Sequence, residues 1–155
     1  GGAGGDAGKS RNHQGLFAEK RGARKEGAPL EGGTDGETER SYAPYVLGRL
    51  FAVLESLQQS ANPGINATIR DRYFNSACAT PAQVFPTLIK LAQNHLNKLD
   101  GGLSVYYDKM MTELCSRLTE SLPRHLPLED QGVFQLGYYH QKQALYTKKE
   151  DRNNG

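Results

Sequence analysis

Tryptophan is absent from the 155 residues, and cysteine occurs only twice, as Cys78 and Cys115. Two distant thiols with no C-x-x-C spacing make neither a disulfide framework nor a zinc pattern, and they suit a reducing compartment. No apolar run reaches the ~18 residues that a membrane-spanning helix needs. No segment joins a basic start, an apolar stretch and a small-residue cleavage site, so no secretion signal is expected. Charge of one sign is lacking too: 19 Lys and Arg stand against 17 Asp and Glu, a formal net charge of +2. That excess is too small to argue for any class of partner. Period-two alternation rich in β-branched residues is missing, which argues against a sheet.

What is present divides in two. Residues 1–40 hold 11 of the 18 glycines, with seven basic and seven acidic residues and only Leu16, Phe17 and Leu30 as large apolar side chains. Such a segment buries too little apolar surface to offset its chain entropy, and it is expected to be a disordered leader or an appended stretch. The first residue is Gly rather than Met, which points to a processed product or a fragment. From Tyr42 the texture changes, and residues 41–155 carry twelve basic and ten acidic residues. The expected division is a leader over 1–40, a helical bundle over 41–150 and a short tail over 151–155.

Five helices are predicted. The first, about 43–60, has Val46, Leu47, Leu50, Phe51, Leu54 and Leu57 at helical spacing, with Pro44 in its first turn. The second, about 66–79, starts at Asn66 as N-cap. The third, about 80–99, takes Thr80 as N-cap, Pro81 at the first position and Gln83 completing a capping box. Pro86 within it implies a bend or a later start, and Gly101 and Gly102 mark its stop. The fourth, about 103–121, buries Leu103, Tyr106 or Tyr107, Met110, Leu114 and Leu118. The fifth, about 128–148, opens on Glu129 and Asp130 and closes on Lys148 and Lys149, complementing the helix dipole at both ends. Short connections favour antiparallel neighbours, so the expected fold class is an all-α antiparallel bundle of about five helices.

Several other chemistries have partial signatures in the sequence. A-G-G-D-A-G-K-S at residues 3–10 fits a relaxed phosphate-loop pattern, yet it lacks the preceding strand and following helix that would aim backbone N–H groups and Lys9 at phosphates. A glycine-rich tract spells such a pattern by chance. Cys78 and Cys115 sit at helix-interior positions, where cysteine acts as a small apolar side chain. His95, His125 and His140 share no metal-ligand spacing. No catalytic constellation and no cofactor are expected. The basic residues Arg70, Arg72, Lys90, Lys98, Arg117 and Lys142, with Tyr73, His95 and His140 available for stacking or polar contact, could track a single-stranded backbone if the bundle gathers them along one edge. On charge alone, a solvated surface explains them better. Arg70 and Arg72 lie about 200° apart on a helix, so they cannot face one ligand together. Arg70 has an internal partner open to it in Glu55, and of Tyr138 and Tyr139 one belongs to the core.

Three stretches carry a resemblance: residues 45–99 with LGRLFAVLE and TIRDRYF-x-x-A-x-A-TP-x-x-VFP, the helix LSVYYDKMMTEL at 103–114, and residues 126–147 with QGxFxLGYYHQ. Together they resemble the C-terminal part of the large subunit of the type I-C CRISPR surveillance complex, Cascade. The same segment is made there as a separate small subunit. The resemblance covers residues 45–148 and gives the leader no counterpart. It implies a non-catalytic helical bundle in the prokaryotic cytoplasm, seated on the crRNA-bound backbone beside the large subunit and other copies of itself. It also implies contact with the displaced, single-stranded non-target DNA, indirect dependence on crRNA and no membrane. Sequence reading is left to base pairing. The motifs place Arg70, Arg72 and Tyr73 in the second helix, His95 and Lys98 in the third, and Tyr138, Tyr139, His140, Gln141 and Gln143 in the last. An alternative is a protein–protein interaction module of the large subunit without direct DNA contact.

Overall fold

The segment APYVLGRLFAVLESLQ is apolar on nearly every side, and a helix of that kind has to be surrounded. In the structure, a computed structural model describing residues 42–154 and their side chains as far as Glu150, it is the central element. Five α-helices and no strand are found among the described residues: α1 (Ala43–Ala61), α2 (Ile69–Ala79), α3 (Pro81–Asn97), α4 (Gly101–Ser116) and α5 (Leu128–Asn154). This is the all-α bundle expected. The leader over 1–40 and the phosphate-loop pattern lie outside the described residues. Helix α1 touches each of the other four and packs most extensively on α5. Beyond the expected stripe it also buries Tyr45, Ala52 and Val53.

Two glycines set the α1–α5 contact. A Cβ on Gly48 would collide with the Phe134 carbonyl, and one on Gly137 with the Tyr45 carbonyl. Backbone therefore lies against backbone, closer than any side chain permits. The end pairs, Tyr42 with Asp130 and Glu55 with Lys142, advance along both helices, so α1 and α5 run in the same sense. In an alternating bundle of five, the first and last helices are parallel. Around the crossing, Phe51, Phe74, Phe134 and Tyr138 meet edge-to-face with centroids 4.9–6.2 Å apart, and Phe85 joins through Phe134 at 6.3 Å. These rings tie α1, α2, α3 and α5, and each fully buried one contributes roughly 1.5–3 kcal/mol.

Several local expectations need correction. Helix α2 starts at Thr68 rather than Asn66: the Thr68 side chain accepts from the Asp71 N–H, and Asp71 accepts from the Thr68 N–H at 3.0 Å. Thr80 forms no capping box with Gln83. Its hydroxyl donates back to the Ser76 carbonyl at 2.9 Å and so closes α2. The start of α3 is satisfied from elsewhere, as the Ala82 N–H donates to the Pro123 carbonyl and the Leu126 N–H to the Ala79 carbonyl. These two bonds pin the LPRHLP connection across the α2–α3 junction. Helix α3 runs through Pro86 from Pro81, which removes the later start. Gly101 and Gly102 open α4 behind Asp100 instead of ending α3. Within α4, Tyr107 and Met111 are buried, while Met110 and Leu103 only lean on the core. Helix α5 continues through the expected tail to Asn154.

Candidate nucleic-acid interface

The sequence of α5 between Asp130 and Glu150 contains no carboxylate, and Lys142, Lys148 and Lys149 stand in that gap. Its exposed residues include Leu136, Tyr139, His140, Lys142, Gln143 and Tyr146. Positions 136, 139, 143 and 146 recur every three to four residues and share one face, two tyrosines among them. Helix α2 adds a cation at its edge. Arg70 donates through Nη2 to the Tyr139 hydroxyl at 3.2 Å, and its guanidinium carbon lies 4.4 Å from the Phe74 centroid and 4.9 Å from that of Tyr138. The guanidinium rests on rings, an arrangement suited to its planar, weakly hydrated charge.

Arg70 thus has no carboxylate partner among the described residues, and the pairing with Glu55 that the sequence left open does not form. Glu55 is buried and turns to α5 instead. The Tyr138 hydroxyl donates to it at 2.5 Å, and Lys142 Nζ stands 3.7 Å away while also donating to the Tyr138 hydroxyl at 3.1 Å. Burial, and then Glu55, push the Tyr138 phenol well above its usual range, so it stays protonated and donates. Lys142 nevertheless keeps 53% of its side chain in solvent. Of the two adjacent tyrosines, Tyr138 is the core residue and Tyr139 the exposed one.

Of the basic residues singled out in sequence, the fold brings Arg70 and Lys142 together around Tyr138. His140 is close by on α5, its Nδ1 sharing a hydrogen bond of 2.7 Å with the Tyr45 hydroxyl. None of the others makes a hydrogen bond or ion pair with this cluster among the described residues. Arg72 is exposed on α2, and Lys90 and Lys98 are exposed on and just after α3. None of the three side chains makes an ion pair among the described residues. Arg117 closes α4 and pairs with Glu113 one turn back at 3.0 Å. Tyr73 is half-buried against the core. His95 is only 7% exposed, and burial together with Lys98 holds its pKa below the usual histidine value, so it is a neutral residue packed inside. Sequence reasoning did not single out Tyr146 or the role of Arg49, whose Nε donates to Gln141 at 2.8 Å on the same helix pair. The carboxylate-free stretch was the available signal.

Other chemistries find little here. Both thiols are buried, and burial raises both pKa values, that of Cys115 to about 12. Nucleophilic work requires the thiolate, which such burial suppresses. Among the described residues no three His, Cys, Asp or Glu side chains gather as metal ligands would. No described helix is long and apolar enough to cross a membrane.

Residues 21–146 match the model of a family described as CRISPR-associated protein (Cas_Csd1). That span is most of the chain, and the chain belongs to this family. It is a CRISPR-associated protein of Cascade type. The match begins at residue 21, whereas the motif resemblance begins at residue 45, so the family reaches into the segment read from sequence as a leader without counterpart. No curated protein matches the chain.

Proposed function

We propose that this chain is a non-catalytic small subunit of a type I-C Cascade, seated along the crRNA-bound backbone, where it steadies the displaced non-target strand and with it the R-loop. Membership of the CRISPR-associated family and the three sequence motifs support the assembly. The observation that carries the DNA contact is the α5 face: aromatic and amide side chains, lysines at positions 142 and 149, Arg70 bonded to Tyr139 and no carboxylate from residue 131 to 149. A single strand needs that combination of cations for phosphates and ring faces for bases, without sequence readout. Base pairing with the guide supplies the specificity, so a subunit of this kind needs no reader of base edges. Its partners are then the backbone and large subunits, other copies of itself and the displaced strand, with crRNA reached indirectly.

The test is binding of single-stranded DNA at increasing salt, with and without the crRNA-bound backbone. Contact with three to five phosphates gives a slope of log K against log salt of about −2 to −3.5. Binding that is flat in salt, or absent even with the backbone supplied, overturns the DNA contact. If the chain still docks on the backbone in that case, it is a protein–protein interaction module of the large subunit.

A further inference from the structure

We infer that Tyr139 is a preset stacking platform for one unpaired base of the bound strand, and that Arg70 is the residue that positions it. The inference rests on the reading of the α5 face as a single-strand contact and adds to it the residue that meets the base.

An exposed tyrosine ordinarily samples several rotamers, and a ligand that fixes it must offset the lost freedom. Tyr139 is 52% exposed, yet it is held at two points. Its hydroxyl accepts from Arg70 across 69 residues of sequence. Its ring meets Tyr138 at a centroid distance of 5.0 Å and an angle of 78°. Tyr138 is itself immobile, being fully buried and tied to Glu55 and Lys142. The ordering cost of the platform is therefore met by folding. Tyr146, two turns further along α5, is a built-in comparison. It is 65% exposed and has no side-chain partner among the described residues, so it lacks this fixation.

The charges around Tyr139 suit the sugar-phosphate flanking a stacked base. The Arg70 guanidinium lies 5.8 Å from the Tyr139 ring centroid, and its charge is not cancelled by a carboxylate among the described residues. Lys142 follows three residues later on α5. The carboxylate nearest to it, Glu55, is buried beneath Tyr138 and faces inward. Every base has a π-face, so a single tyrosine platform tolerates any sequence.

The test uses the full chain with a fluorescent oligothymidylate and with an oligomer of the same length whose sugars carry no bases, each with and without the crRNA-bound backbone. Tyr139→Leu is expected to weaken oligothymidylate binding about 5- to 50-fold with the salt slope unchanged, because a base contact rather than a phosphate contact is lost. Tyr139→Phe keeps the ring but loses the Arg70 hydrogen bond, so it weakens binding about as much as Arg70→Lys and less than Tyr139→Leu; Tyr146→Leu costs less than Tyr139→Leu, and the base-free oligomer binds wild type and Tyr139→Leu equally. Arg70→Lys keeps the charge and the slope but loses affinity, and in the Tyr139→Leu background it costs nothing more. A purely electrostatic or structural Arg70 would not give that coupling. Wild-type binding that Tyr139→Leu leaves intact, or equal loss on the base-free oligomer, overturns the platform and leaves the strand contact standing. No binding by wild type at low salt in either setting overturns both.

Discussion

His95 and Cys115 show at single residues how burial replaces chemistry that the side chain could otherwise perform. His95 resists protonation because the charged form loses water and meets Lys98. Its pKa is lower folded than unfolded, so the unfolded chain binds the proton more readily. Stability is therefore fully present above the unfolded value near 6.5 and falls as pH drops below it. Chemical unfolding followed from pH 7.5 to 5 is expected to show that loss, and His95→Gln is expected to flatten it. Cys115, pushed up to about 12, is expected to resist thiol reagents at pH 8 in the native chain and to react once denatured. Rapid native labelling of Cys115 would show that the core around it opens.

Between elements, the α1–α5 contact turns on glycines whose roles have opposite signs. Gly48→Ala and Gly137→Ala each place a methyl group on a backbone carbonyl of the facing helix, and each is expected to cost about 2–3 kcal/mol or more. Gly132, on the same helix as Gly137, has open space around a Cβ. Gly132→Ala is expected to stabilise by about 0.5–1 kcal/mol through helix propensity alone. Denaturant midpoints of the three variants check all of this. The same elements show what sequence could and could not disclose. The leucine and aromatic spacing places all five helices, because burial on one face is written in the period of the chain. Their ends are less legible. Thr80-Pro81 has the letters of a cap, but the Pro123 carbonyl takes the Ala82 N–H and leaves Thr80 to close the preceding helix. Gly101-Gly102 has the letters of a stop, yet α4 starts there behind Asp100. Each outcome depends on a neighbour distant in sequence or on which side of the glycines the next helix nucleates.

Taken as a whole, the molecule is a central helix wrapped by four others, with the aromatic cluster as its keystone. Phe134→Ala removes a fully buried ring shared by α1, α2, α3 and α5, and it is expected to cost about 3–5 kcal/mol. A loss below about 1 kcal/mol in equilibrium unfolding would mean that the cluster can collapse around the gap. Function at this scale is a matter of which surface the fold leaves bare. The candidate basic residues are visible in sequence by type, but their grouping is not: Arg70 and Tyr139 are 69 positions apart, and only the packing of α2 against α5 brings them together. Lys90, Lys98 and Arg117, equally visible in sequence, lie outside that grouping. The absence of carboxylates between Asp130 and Glu150 is plain in the sequence. It acquires meaning only once that stretch is known to be one helix with an open face.

The central claim is that the displaced strand runs over this α5 face, and site-resolved cross-linking tests it most directly. Photoreactive thymidines placed along the non-target strand of an R-loop, in the complex assembled with this chain, are expected to yield adducts within residues 136–149 and around Arg70. Adducts confined to the α3 surface around Lys90 and Lys98, or none on this chain in a fully formed R-loop, would contradict it.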